Sequence, residues 1–225
     1  MSFTTLVEAQ AGAGDGSASL AQTAYLGLRE RLVLLDIAPG APLNEQALAA
    51  EMGVGRTPLR EAIKRLEAEH FVVTYPRRGT FATRVDSTAL SEISEVRRAL
   101  EPVAARRAAR LVDASSRPSL TAIREEIQAP SASTSTREHM MLDMRTHLAI
   151  YRAARNEHLE SSLTHYLFLA MRIWCLALPR MGKVSGHIIE HTEILDAVMA
   201  GDENAAADLM LAHLDSFEEA LRRVL

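Results

Sequence analysis

A single β-hairpin is written into an otherwise helical chain. Phe71-Val72-Val73-Thr74-Tyr75 and Thr80-Phe81-Ala82-Thr83-Arg84-Val85 carry the β-branched and aromatic residues of strands, with the turn-like Pro76-Arg77-Arg78-Gly79 between them. Two strands alone are marginal in water, so the hairpin must pack on its neighbours. The preceding sequence has a helical period. A first helix is expected over about 20–35, with Leu28, Leu32 and Leu35 on one face, and Ala38-Pro39-Gly40-Ala41-Pro42 breaks it. A short helix follows over about 45–52, with Leu48 and Met52 inward and Gly53 suited to its end. The next covers about 56–69. Pro58 falls in its first turn, and Leu59, Ala62, Ile63 and Leu66 form its apolar face.

After Asp86-Ser87-Thr88 the pattern is helical only, over roughly 89–112, 117–127, 137–154, 157–177, 185–200 and 203–224. Gly201-Asp202 ends one helix and caps the next, and the low-complexity segment 129–136 reads as a mobile loop. The expected fold is mainly α: a disordered tail over 1–18, a winged helix-turn-helix over 19–85, a linker over 86–88, and an all-helical antiparallel bundle over 89–225. With 225 residues, two modest domains can each bury a core. The longest apolar runs, Leu167 to Met171 and Ile173 to Leu178, are split by Arg172, so no membrane span and no membrane partner are expected. Cys175 is the only cysteine, which excludes an intrachain disulfide and fits a reducing, cytoplasmic setting.

The net charge of −4 hides an uneven distribution. Between Arg56 and Arg84 seven basic residues face three acidic ones, whereas from Asp86 onward there are sixteen basic and twenty acidic. Two short helices joined by a glycine turn and followed by a hairpin can place the second helix in a DNA major groove. Arg56, Arg60 and Lys64 recur at every fourth residue and so share one face, with Thr57 beside them and opposite Leu59, Ile63 and Leu66. Arginine there can pair with guanine or clamp phosphate. Arg77 and Arg78, beside Gly79, can approach the DNA backbone or minor groove. Three charges in a stripe also describe an ordinary solvated face.

The wording of the segment is more specific. Gly53-Val54-Gly55-Arg56-Thr57-Pro58-Leu59-Arg60-Glu61-Ala62-Ile63-Lys64-Arg65-Leu66 closely resembles the recognition-helix signature of the GntR family of regulators. Pro39-Gly40, Leu43-Asn44-Glu45, Leu48-Ala49 and Pro76-Arg77-Arg78-Gly79 extend the resemblance over about 25–85. It implies DNA contacts by Arg56, Thr57, Arg60 and the wing at Gly79. Two positions depart from the pattern: Gly55 replaces a usual serine or threonine, and Gln46 stands where some members carry a DNA-contacting arginine.

Of the eight histidines, His70, His139, His158, His165 and His187 show no common constellation and read as incidental. Asp143 and His147 lie four apart on a helix whose stripe continues through Ile150 and Ala154. His191 aligns with Ile188, Ile194, Leu195 and Val198, and His213 with Met210, Phe217 and Ala220. One carboxylate and three imidazoles thus face inward from three helices. They are either hydrogen-bonded core residues or the ligands of a divalent ion. The imidazoles favour Zn²⁺ or Ni²⁺, and the carboxylate admits Mn²⁺ or Fe²⁺.

Glu95-Val96-Arg97-Arg98-Ala99-Leu100-Glu101 is similar to the opening of the FCD effector domain of the FadR subgroup in that family. Asp143-x₃-His147, Asn156-Glu157-His158-Leu159 and the closing stretch from Glu190-His191 through His213-Leu214 match later parts of its pattern. This resemblance implies a metal held by Asp143, His147, His191 and His213 at the base of a ligand cavity. Arg97, Arg98 and Arg172 lie on helices that would line or flank the cavity. Arg97 and Arg172 are candidates to pair with an effector carboxylate, although Arg98–Glu95 and Arg97–Glu101 also suit helical salt bridges. Trp174 and Phe168 read as packing residues.

The expectation is a homodimeric transcription regulator, a repressor, that binds a palindromic double-stranded operator and responds to a small organic acid. It is not expected to be an enzyme. The alternative is a metal-dependent hydrolase or lyase with an accessory winged helix, and a third reading is a winged helix used for protein contacts alone. The hydrolase needs a second carboxylate near the ligands, and Glu190, next to His191, is expected to point away.

Overall fold

The computed structural model describes residues 19–129, 135–180 and 185–224 and divides into two compact units between Val85 and Asp86. The expected tail at 1–18 lies outside the described residues, as do 130–134 of the expected mobile loop.

The first unit contains α1 (Leu20–Val33), α2 (Glu45–Glu51), α3 (Arg56–Ala68), β1 (Val72–Tyr75) and β2 (Gly79–Ala82). Leu28, Leu32, Leu59, Leu66 and Phe71 are wholly buried between them, each contributing roughly 1.5–3 kcal/mol. A polar seam joins α1 to α3. The Tyr25 hydroxyl donates to Glu69 Oε2 at 2.8 Å and accepts from Arg29 at 2.6 Å, while the Arg65 guanidinium lies 3.6 Å from the ring centroid. Burial pushes the Tyr25 phenol up to about 12, so it stays protonated as the donor. Asn44 caps α2 by accepting from the Ala47 amide, and Gly53 ends it at φ +64°.

β1 and β2 are antiparallel, with Val72 opposite Ala82 and Tyr75 opposite Gly79. The stretch 40–43, expected only as a helix breaker, runs along β2 as a third, bridged segment. Leu43 N donates to Thr80 O, and Ala82 N to Ala41 O. Pro42 is tolerated there because it sits at an edge. The turn at the hairpin tip is closed by Arg78 N donating to Tyr75 O, with Arg77 at φ +63°, a conformation that favours glycine.

The second unit is an all-helical bundle of α4 (Ser87–Leu111), α5 (Arg117–Gln128), α6 (Thr136–Ala153), α7 (Glu157–Ala177), α8 (Ser185–Ala200) and α9 (Glu203–Arg222), with a 3₁₀ turn at Leu178–Arg180. α4 packs against α6, α7, α8 and α9. Asp86 caps α4, so 86–88 is the start of a helix and not a linker. Ser135 likewise caps α6 in a reciprocal capping box with Glu138. Asn156 and Asp202 cap α7 and α9.

By length and apolarity the stretch Glu157–Arg180 could cross a membrane, which corrects the expectation from the split runs. In the bundle its apolar residues Leu163, Leu167, Phe168, Met171, Ile173 and Trp174 are buried instead. A core helix of this kind, buried over about half of that stretch, passes the same length and composition test as a span.

Candidate metal centre and DNA-facing surface

In the first unit, α3 presents Arg56, Thr57, Arg60 and Lys64 to solvent opposite its buried Leu59, Ile63 and Leu66. Arg78 and Gly79 are exposed at the hairpin tip, Gly79 at φ +93°. Gly55 supplies no side-chain cap, so the first amides of α3 remain available to an anion. Arg60 Nε donates to Glu45 Oε2 at 3.0 Å, a surface pair between α3 and α2. Arg65 belongs to the seam with Tyr25 and Glu69.

In the second unit, α6 carries Asp143 and His147 one turn apart, α8 carries His191 and α9 carries His213, and all four side chains are buried. Their ligand-type atoms lie within 4.8 Å of one another. His147 Nε2 is 3.3 Å from His213 Nε2 and 3.2 Å from His191 Nε2, and Asp143 Oδ1 is 3.3 Å from His191 Nε2.

The outer nitrogens decide which atoms can bind a cation. His213 Nδ1 donates to Glu190 Oε2 at 2.9 Å, and His191 Nδ1 to the Ile188 carbonyl at 3.3 Å. His147 Nδ1 stands 2.8 Å from the buried Glu101 Oε2. With the protons on Nδ1, three Nε2 lone pairs converge on Asp143 Oδ1, which is buried and accepts no hydrogen bond. Four acceptors without a donor repel one another unless a cation lies among them. Ligands about 2.0–2.2 Å from one ion stand about 3.0–3.5 Å apart, so the donor set fits a divalent metal. Burial holds His191 well below its ordinary value and lowers His213 to about 4, keeping both in the neutral, ligating form.

Two residues set aside in the sequence belong to the site. His187, one turn before His191, stacks on His213 with centroids 4.2 Å apart and on Phe217 at 4.6 Å, and its Nε2 is 3.8 Å from Asp143 Oδ1. Its spacing from His191 was the available signal. Glu190, expected to point away, accepts from His213 Nδ1 and lies 3.3 Å from His187 Nδ1. Burial opposes its charge, but the two imidazoles pull its carboxyl down to about 2. It sits behind the His213 ring, on the side away from the converging Nε2 atoms, so it does not serve as the base a hydrolase needs.

Beside the cluster lies a narrow crevice of about 210 Å³, a figure that includes the solvent at its mouth and leaves no room for a water molecule inside. Arg97, Asp143, His147, Trp174, His187 and Phe217 are among its lining residues. A second crevice, about 270 Å³ with the solvent at its mouth and wide enough inside for about one water, shares Arg97, Ala170 and Phe217 as a wall and continues to Leu90, Ile93, Ser94 and Leu214. Arg97 thus lines both, and its Nε is engaged by Glu101 Oε1 at 2.5 Å. Arg172 lines neither. It is buried, its guanidinium lowered to about 10 by that burial, and its ionisable neighbour is Cys175. Arg98 pairs with Asp215 and Glu218 of α9 and not with Glu95. Phe168 is core, whereas Trp174 packs against Phe217 and also borders the first recess.

Comparison with known proteins agrees with both units. Residues 20–82 match the bacterial regulatory proteins of the gntR family, and residues 92–216 match the FCD domain. An HTH-type transcriptional regulator in an unstable DNA locus of Streptomyces ambofaciens is 29% identical over 89% of this chain and 84% of its own. The HTH-type transcriptional repressor RspR of Escherichia coli is 24% identical over 90% of this chain and 89% of its own. The solved structure of E. coli McbR/YncC covers 92% of this chain and 99% of its own, with a TM-score of 0.82 at 20% identity, a likeness of fold. With more than half its length matched by the FCD domain and the preceding unit by the gntR family, this chain belongs to the GntR family of bacterial transcription regulators and carries an FCD domain.

Proposed function

We propose that the chain is a homodimeric repressor of the FadR subgroup whose operator affinity is set by a small carboxylate bound at a divalent ion in the second unit. The observation that carries this is the convergence of three imidazole Nε2 atoms on an orphaned, buried Asp143 Oδ1. Asp143, His147, His191 and His213 would hold the ion, Zn²⁺ or Ni²⁺ by the imidazoles, with Mn²⁺ or Fe²⁺ admitted by the carboxylate. One aspartate and three neutral histidines around a divalent ion leave a net positive site, which favours an anion, and the adjoining recess must widen to admit one. Arg97 lines that recess, and so does Trp174, whose indole Nε1 is buried without an acceptor. A ligand oxygen supplies what such a donor lacks.

Arg56, Thr57, Arg60 and Lys64 on α3 would read the operator, with Arg78 and Gly79 on the wing approaching its backbone. One such helix reads one half-site, so a palindrome calls for two chains related by a two-fold axis. A regulator of this kind works in the cytoplasm, where its operator is. The hydrolase or lyase alternative is not favoured, since the family and the relatives are regulators.

Metal content and a carboxylate thermal-shift screen test this reading together. Purified chain should carry about one divalent ion, as one four-ligand set implies. His191→Ala and Asp143→Asn should lose it, and a stabilising carboxylate should lose its shift in both. Protein that takes up no ion from Zn²⁺, Ni²⁺, Mn²⁺ or Fe²⁺, or a carboxylate that stabilises metal-stripped chain equally, contradicts the reading.

A further inference from the structure

We propose that Glu101 is a positioning residue of the metal centre, held by Arg97 so that it fixes the ring of His147. The inference rests on the metal reading above and concerns a residue outside the ligand set. Glu101 is fully buried, with no solvent to satisfy its two oxygens. Oε1 accepts from Arg97 Nε at 2.5 Å. Oε2 lies 2.8 Å from His147 Nδ1, close though not in line for an ideal hydrogen bond. A carboxylate oxygen accepts and never donates, so the charge of Glu101 favours the His147 proton on Nδ1, facing it, with the Tyr151 hydroxyl 3.4 Å from the same nitrogen. That leaves the Nε2 lone pair toward Asp143, His191 and His213. Outer carboxylates on ligating histidines fix tautomer and ring angle in this way, and their loss typically weakens metal binding by about 10–100-fold.

Arg97 is part of the device. A fully buried carboxylate beside a neutral imidazole is expensive alone, and the Arg97 guanidinium on the same helix compensates it. Arg97 also borders both recesses, so the wall that a ligand meets is joined to His147 through one buried chain, Arg97–Glu101–His147. Glu190 plays a similar part behind His213, but from a half-exposed position. Glu101 is the buried one, and the other partner within reach of His147 Nδ1, the Tyr151 hydroxyl at 3.4 Å, carries no charge.

The test uses full-length, metal-stripped protein and Zn²⁺ alone, with affinity read by competition against a chromophoric chelator. Glu101→Gln offers one carbonyl oxygen and one amide donor, so it can satisfy Arg97 or His147 but not both. Zn²⁺ affinity should fall by about 10–100-fold, and Co²⁺ bound in place of Zn²⁺ should change its visible absorption bands. Because Glu101→Gln also strands the Arg97 charge, the double variant Arg97→Met/Glu101→Gln removes both and decides the matter if the single variant does not fold. The double variant should show the same loss of Zn²⁺ affinity. Unchanged Zn²⁺ affinity and Co²⁺ bands in folded variants, whatever happens to their metal-free melting temperature, overturns the proposal and leaves only a structural ion pair. A wild-type chain that binds no metal instead removes the reading on which this one rests.

Discussion

At the scale of single residues, Arg60 shows how the free surface and the DNA-bound surface compete. Its Nε is held by Glu45 at 3.0 Å, with Arg60 largely exposed and Glu45 partly so. An exposed pair of this kind contributes about 0–1 kcal/mol, less than the roughly 1–3 kcal/mol of a good arginine–base contact. The DNA contact should therefore win, at a small cost for breaking the pair. Arg56→Ala and Arg60→Ala are each expected to weaken operator binding by about 1–3 kcal/mol. Glu45→Gln should tighten it several-fold, because it releases Arg60 and removes a negative charge near phosphate. Fluorescence anisotropy titrations at fixed salt check all three. Unchanged affinity in both arginine variants would show that α3 is not the reading helix.

At the scale of elements, the caps and stripes made most of the helices legible in advance. Gly201-Asp202 and Gly53 each do what their residue type suggests. Asp202 accepts from the Ala205 amide at the start of α9, the helix that carries His213 and packs along α4. Asp202→Ala should cost about 0.5–2 kcal/mol in chemical denaturation, with the denaturant slope unchanged. A loss below a few tenths of a kcal/mol would mean the cap is not formed in solution. Stripes also pointed to Asp143, His147, His191 and His213, because each falls in line with apolar residues on its helix. The surroundings of Arg172 are not legible in this way. Every residue from Ala170 to Trp174 on α7 is buried, so periodicity says nothing about which neighbour each one meets. His187 and Glu190 were passed over because the inward face of α8 is wider than one stripe. The 40–43 segment was hidden by Pro42 within it and Pro39 just before it, which read as breakers and not as an edge strand.

At the scale of the molecule, a DNA-reading unit and a bundle with a polar, metal-fitting heart are joined in one chain. Neither the net charge of −4 nor any single motif reveals that pairing. The positive charge is concentrated between Arg56 and Arg84, in the unit proposed to read DNA, and the acidic excess lies in the unit proposed to sense a ligand. If the two functions are linked, the linkage is reciprocal: a carboxylate that weakens operator binding is itself bound more weakly when the operator is present. The most direct measurement is operator affinity by anisotropy, with and without the best carboxylate from the thermal-shift screen, for metal-loaded wild-type chain and for His213→Ala. The account predicts that the carboxylate weakens wild-type binding by about 5–150-fold, the usual range of such coupling, and leaves His213→Ala unaffected. Equal effects on both proteins, or none on the wild type, would contradict it.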